Sequence, residues 1–317
     1  MPATRATPRI ALRDRIGDRV LFGLALGAAL LACLLIGEIA YQLMDGARLS
    51  IAHFGLGFLT HSEWKPNFHV YGATVLLYGT AVSSFMALLI AAPVAVAIGL
   101  YLSMLAPRGV RGVVGTLVEM LAAIPSVILG LWGILVLAPF VHQHVEPFLH
   151  DHFGFLPIFG PVPATGLSIF TAGLILAIMV VPIIASVSRD LFLTVPRDLQ
   201  DGALALGSTR WEVVRGVVLP STASGVASAA CLGLGRALGE AIAVTQVIGG
   251  GNEIHASLFE TGDTLAGRIA NQFNGAVDEL HTSSLFYLAL ILLAISLATN
   301  LLAQWIARRF DVRRLTA

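Results

Sequence analysis

The sequence predicts an all-α integral membrane protein with six transmembrane helices, and three observations carry that expectation. Of 317 residues, 56% are hydrophobic and 12% are charged, against roughly 25% charged in an ordinary soluble domain. Such a chain has too little polar surface to cover itself in water, so lipid must solvate most of it. Six stretches reach the length of about 20 mostly apolar residues that a crossing of the hydrocarbon core requires. The positive charges then alternate between the segments that join them.

The six stretches are 20–44, 73–105, 112–141, 165–187, 222–248 and 284–306. Each must be helical, because lipid offers unpaired backbone groups no partner. Pro93, Pro125 and Pro182 fall inside three of them and predict kinks whose freed carbonyls face protein or a wet cavity. This divides the chain into a tail (1–19), a first span with its outer loop (20–72), a five-span core (73–306) containing a polar connector (188–220), and a second tail (307–317).

Orientation follows from the positive charges. Arg5, Arg9, Arg13, Arg15 and Arg19 precede the first span, and Arg108 and Arg111 follow the second. Arg189, Arg197, Arg210 and Arg215 follow the fourth, and Arg308, Arg309, Arg313 and Arg314 follow the sixth. The alternate loops hold only Arg48, Lys65 and Arg268, so the balance is fifteen against three. Both termini are expected in the cytoplasm, and six spans satisfy that parity.

Several function classes are excluded. The formal charge is zero, so no basic field points to nucleic acid. Lys65 is the sole lysine and precedes Pro66, so a phosphate-cradling G-x-x-x-x-G-K-[ST] loop is impossible. No catalytic residue and no cofactor of its own are expected in this chain. Cys33 and Cys231 lie in apolar segments with no disulfide or metal spacing. All nine histidines fall in loops placed outside. His142, His144, His150 and His152 are expected in a solvated, proline-broken loop over 142–163, since no cysteine or H-E-x-x-H spacing supports a metal.

The connector 188–220 carries the most local information. Pro196 suits a helix start, with Asp198 and Asp201 favoured at its positive end. Leu199, Ala203 and Leu206 recur at helical spacing, and Gly207 is a left-handed stop. Thr209 and Glu212 form a capping-box pattern for a second helix, which Pro220 is expected to end. Two short helices joined by a glycine turn can push on the spans at either end if a partner grips them. Arg197, Arg210, Trp211 and Arg215 supply residue types enriched at interfaces.

Charges at membrane depth cost about 2.5–3.5 kcal/mol each on insertion scales. The fifth span holds two, Arg236 and Glu240, spaced to share one helix face. Gly235 and Gly239, also four apart, would let another helix approach closely. Arg236 presents a donor fork suited to an oxyanion, or the two form a structural ion pair. Glu119, two turns into the third span, lines the inner mouth or snorkels to the interface.

Asp201-Gly202-Ala203, Gly207 and Val217-x-Leu219-Pro220 resemble the EAA loop of ABC importer permeases, E-A-A-x(3)-G-x(9)-I-x-L-P. Gly202 in place of alanine weakens the first helix by up to about 1 kcal/mol. The resemblance implies the type I ABC importer permease fold, with Asp201, Gly202, Ala203, Gly207, Arg210, Leu219 and Pro220 in the ATPase-coupling segment.

Phe58-Leu-Thr60-x-Ser62-x-Trp64-x-Pro66, Tyr78-Gly-Thr80 and the Ile124–Gly133 run resemble phosphate permease subunits of the PstC type. So does Arg236-Ala-Leu-Gly-Glu240-Ala. This resemblance implies phosphate import through an inner membrane, with Arg236, Glu240 and Glu119 on the pathway. It implies a PstA-type permease as heterodimer partner and a PstB-type ATPase dimer that binds ATP and Mg. It also implies a periplasmic PstS-type binding protein, met by the loop of Trp64 and Pro66. The competing expectations are a sulfate or molybdate permease, or a transporter working without an ATPase.

Overall fold

The computed structural model describes residues 12–309 and is built of helices, with six long enough and apolar enough to cross a membrane. The outermost tail residues, including Arg5, Arg9, Arg313 and Arg314, lie outside the described residues. In chain order the helices are α1 (Leu12–Phe54), α2 (Thr74–Leu105), α3 (Arg108–Ala122), α4 (Ser126–Phe153) and α5 (Ile169–Leu193). They continue with α6 (Arg197–Ala205), α7 (Arg210–Gly239), α8 (Ile242–Val247), α9 (Leu265–Gln272) and α10 (Glu279–Arg309). The crossing helices are α1, α2, α4, α5, α7 and α10.

α5 is the centre of the bundle. It packs on α2, α7 and α3, and most of its apolar length is buried. Its start is set by Ser168, whose hydroxyl accepts the Thr171 N–H as an N-cap. Ala87, Ala91 and Ala95 recur every four residues on α2 and are fully buried, and Gly173 of α5 lies against Met86. Small residues at this spacing let two helix backbones come close where lipid removes the hydrophobic drive for association. Pro93 and Pro182 stay within continuous helices.

α1 sits at the edge. Its apolar stretch is exposed along the side chains from Val20 to Ile39, a surface for lipid or another subunit. Only its later turns are held, against α10. Ser50 N–H donates to Ser283 Oγ at 3.0 Å, Ser50 Oγ meets Ser284 Oγ at 3.2 Å, and Gly46 admits the Phe286 ring. The helix runs to Phe54, ten residues beyond the expected end at Met44: no proline intervenes, Gly46 stays helical within it, and the stop is Gly55 at φ +55°.

The third span differs from expectation. Rather than a kinked helix over 112–141, the chain makes a separate helix α3, breaks at 123–125, and crosses as α4. Pro125 has no N–H to donate and disfavours helical geometry at Ile124. Its own carbonyl then accepts from Ile128 and Leu129 and starts α4. Glu119 therefore lies on α3, outside a crossing helix. α4 also continues through His142, His144, His150 and His152, where an irregular loop was expected. Pro147 lies inside this helix directly after a π-turn at Val141–Val145, whose wider backbone accommodates it.

The second connector helix does not end at Pro220. It runs on as α7 through a π-turn at Val214–Val218. The wider turn accommodates the donor that Pro220 lacks and its ring's clash with the preceding turn. The expected single helix over 222–248 is instead broken at 240–241 between α7 and α8.

One position tests the packing directly. A Cβ at Gly79 of α2 would overlap the backbone carbonyl of Asp263, which cannot rotate aside as a side chain can. Gly79→Ala should lower stability by about 1–3 kcal/mol, as overpacking does. Gly37→Ala, where nothing lies within 4 Å, should be neutral or gain up to about 1 kcal/mol. Thermal unfolding midpoints in detergent check both.

Candidate functional site

Arg236 and Glu240 meet at the break in α7. Arg236 stands in the last turn of α7, and Glu240 follows it with extended backbone (ψ 120°). Their closest approach is 3.8 Å, with the Arg236 side chain 45% exposed and Glu240 at 9%. Glu240 Oε1 also accepts the Ala243 N–H at 3.4 Å, so it caps α8. The two do pair, but across a helix end and not along one continuous face. A guanidinium that is half exposed and loosely held keeps donors available to an oxyanion. Broken helices at membrane depth place such sites where backbone groups are free to serve a ligand. Gly235 and Gly239 meet no close neighbour; Gly233 does, against Val180 and Ile184 of α5.

The connector forms a hairpin of α6 and the start of α7. α6 ends in a Schellman motif: Ser208 N–H donates to the Ala203 carbonyl and Gly207 N–H to that of Leu204. Gly207 has φ +88°, which glycine adopts without strain. Thr209 and Glu212 form the capping box, with Thr209 N–H on Glu212 Oε2 at 2.7 Å and Glu212 N–H on Thr209 Oγ1 at 3.3 Å. Asp201, Gly202, Gly207 and Arg210 are exposed at the tip, together with Leu199, Leu206 and Trp211. Ala203 and Leu219 instead pack inward, on a cluster of Phe192, Val195, Val213 and Val218 that joins the hairpin to α5 and α2. Pro220 lies after the π-turn, away from the tip.

At the opposite end of the bundle the structure corrects the expectation for Trp64. Its ring is buried among Phe58, Tyr71, Leu285 and Tyr287, and its Nε1–H donates to Gln272 Oε1 at 2.8 Å. At 4% exposure it offers little surface for a docking protein. Pro66 is half buried at the start of a short 3₁₀ turn (Pro66–Phe68). Beside Trp64 lies a pair that sequence reasoning missed. Arg268 Nε is 2.7 Å from Asp263 Oδ2, both side chains being nearly fully buried, though that N–H is not aligned for a hydrogen bond. Arg268 also donates to Asn252 and lies 5.6 Å over the Trp64 ring. Burial pushes the Asp263 carboxyl up from its ordinary value, against the opposing pull of Arg268 and the Thr264 N–H. The one available signal was an arginine in a loop region otherwise nearly free of positive charge.

Glu119 is 60% exposed and pairs with Arg189 of α5 at 3.3 Å, bridging α3 to the bundle. The four histidines of α4 are spread around the helix. His144 and His152 bond to carbonyls one turn back, His142 faces buried Glu146, and His150 meets the Phe159 carbonyl. Among the described residues no three potential metal ligands come together.

Residues 95–312 match the family described as binding-protein-dependent transport system inner membrane component. The chain belongs to that family. The match takes in the hairpin, the α7 break and the Asp263–Arg268 pair, and leaves exposed α1 outside. Among similar proteins is the phosphate transport system permease protein PstC of Mesorhizobium japonicum, 40% identical over 99% of this chain and 97% of that one. That of Pasteurella multocida is 43% identical over 89% of each. A chain of a bacterial alginate ABC transporter, solved with an alginate pentasaccharide-bound periplasmic protein, superposes at a TM-score of 0.60. It is 18% identical over 94% of this chain and 97% of that one, so the likeness concerns the fold. The fold is that of the ABC importer permeases, and the protein is a multi-pass membrane subunit.

In this family member the Asp263–Arg268 pair should behave as a buried salt bridge. Arg268→Met alone, which strands Asp263, should cost about 3–5 kcal/mol, whereas Arg268→Met with Asp263→Leu should recover most of that loss. Unfolding midpoints of the two variants in one detergent give the comparison.

Proposed function

We propose that this chain is the membrane-spanning permease subunit of an ATP-driven importer of inorganic phosphate. The observation that carries the reading is the Arg236–Glu240 pair at the break in α7. It puts a loosely held oxyanion-binding fork inside a transport-family bundle. A pathway site must bind weakly enough to release, and a carboxylate at 3.8 Å competes with the anion for the guanidinium. The names carried by the 40–43% identical relatives support phosphate as the anion. Arg236 and Glu240 are the pathway residues, and Glu119 stands near the inner mouth.

The arginine-rich end faces the cytoplasm, both termini included, and the membrane is the bacterial inner membrane. There the hairpin tip of Asp201, Gly202, Gly207 and Arg210 docks on an ATPase dimer of the PstB type, which binds the ATP and Mg. Exposed Leu199, Leu206 and Trp211 are the apolar contacts such a docking needs. Ala203 and Leu219 hold the hairpin's base, so a push on the tip moves α5 and α2 as rigid bodies. A PstA-type permease covers the exposed face of Arg236 as heterodimer partner. A PstS-type binding protein docks on the outer end, where Pro66 and the exposed Phe68 replace Trp64 as its contacts.

Labelled phosphate uptake by cells or proteoliposomes, with sulfate as competitor, tests this reading. Uptake that depends on ATP and ignores sulfate is expected. Indifference to phosphate, or uptake unchanged by ATP depletion, would overturn it. Arg236→Gln should abolish uptake while the subunits still co-purify; wild-type rates in that variant would make the pair structural.

The hairpin gives a separate outcome. Gly207→Pro loses the Schellman turn, since proline cannot reach φ +88° or donate to Leu204. ATPase co-purification should fall sharply, whereas Gly202→Ala should leave it intact and firm α6 by up to about 1 kcal/mol.

A further inference from the structure

A cavity with two arginines lies at the arginine-rich end, between α3 and α5. Gly112, Gly115, Thr116 and Glu119 occupy one face of α3 at helical spacing, opposite Arg189. With Arg111 they line a cavity of about 460 Å³. Glycine inside a helix costs roughly 0.5–1 kcal/mol relative to alanine. At Gly115 the reason is visible, since a Cβ would press on Arg189 Nη1 at 3.1 Å. At Gly112 nothing lies within 4 Å, so no neighbour of this chain demands a glycine. The missing side chain leaves the space open.

The two guanidiniums are incompletely satisfied. Arg111 Nη2 donates to the Ser103 carbonyl at 2.9 Å, and Arg189 Nη1 to Glu119 at 3.3 Å. The Nε of each is buried without a hydrogen-bond partner, and for Arg189 the carboxylate of Asp190 stands off at 3.9 Å. Buried N–H groups on a cation are costly to leave unpaired, and such groups call for a ligand or a reason. A tetrahedral oxyanion has enough acceptors to meet several guanidinium donors at once, and Thr116 lines the same wall.

We propose that Arg111 and Arg189 form a second oxyanion site, which holds a phosphate group between α3 and α5. Glu119 is the counter-ion that an anion replaces: its side chain is 60% exposed, so it can swing into solvent when the anion takes over Arg189. The phosphate group is either inorganic phosphate leaving the pathway or the headgroup of an anionic lipid. The first source rests on the phosphate-import reading, while the oxyanion chemistry does not.

The test uses the full-length chain with the subunits that co-purify, in nanodiscs of phosphatidylcholine alone. An Arg236→Gln background silences the pair at the α7 break. Inorganic phosphate should bind this protein and raise its unfolding temperature. Arg111→Gln or Arg189→Gln should weaken that binding by about tenfold or more, the loss of a charge-assisted hydrogen bond. Gly112→Leu fills the cavity with both arginines in place and should give the same loss, which guards against arginine variants that merely fold badly. In discs containing phosphatidylglycerol, without inorganic phosphate, a stabilisation lost in the same three variants identifies lipid as the source and supports the site. If neither phosphate nor phosphatidylglycerol gives a response that depends on Arg111, Arg189 and Gly112, the site does not exist. Uptake by the wild type is scored separately: its absence overturns the import reading and leaves these binding results standing.

Discussion

Hydrocarbon cannot accept a backbone hydrogen bond, and that constraint shapes every part of this molecule. It makes the crossing segments helices, and it confines irregular backbone to places where other protein groups stand in for water. Among the described residues three such places bear on the site, each with its own repair. At 123–125 the Pro125 carbonyl takes up the first N–H groups of α4. At 240–241 the Glu240 carboxylate accepts the Ala243 N–H. Beyond α8, Gly251 N–H pairs with the Gly262 carbonyl and Gly262 N–H with that of Ile248, a turn that Gly249 and Gly250 reach at φ +89° and +75°. The proposed pathway pair sits at the second of these, where a carboxylate already serves the backbone and a cation stands beside it.

The three prominent ion pairs differ in burial and closeness, and so in what they can do. Arg268 and Asp263 are 2.7 Å apart and nearly dry, further fixed by Asn252 and the Trp64 ring. Breaking such a pair strands a buried charge, so it holds its end of the bundle as a fixed joint. Arg236 with Glu240 and Arg189 with Glu119 are longer, at 3.8 and 3.3 Å, and each has one exposed member, Arg236 and Glu119. An exposed partner contributes about 0–1 kcal/mol, so an anion can displace Glu119 into solvent at little cost, while Glu240 keeps the Ala243 N–H as a partner if Arg236 turns to an anion. Loose pairing suits a site that must release its ligand.

Mechanical connection follows from where the apolar clusters lie. The hairpin of α6 and α7 is not a free loop: Phe192, Val195, Val213 and Val218 pin its base to the ends of α5 and α2. α5 is in turn packed on α2, α7 and α3, so displacement of the tip reaches the broken helix through close-packed contacts. α1 shares in none of this. Its exposed apolar surface makes it a peripheral helix, secured to α10 by serines and a glycine notch.

Composition and periodicity alone determined the membrane setting, the number of crossings, the glycine turn at 207 and the capping box, because each depends on residues near in sequence. The pairing of Arg236 with Glu240 was legible for the same reason. Tertiary structure decided the rest. Pro125 breaks its helix, whereas Pro220 is absorbed by a π-turn, since a proline's effect depends on whether the surroundings can take over its lost hydrogen bond. Trp64 reads as a surface motif but is enclosed by residues from the far end of the chain, including Gln272 and Tyr287. The partnership of Arg189 with Glu119 and the cavity beside Arg111 join helices some seventy positions apart. No local pattern encodes such contacts, because they arise only when packing brings separate helices together.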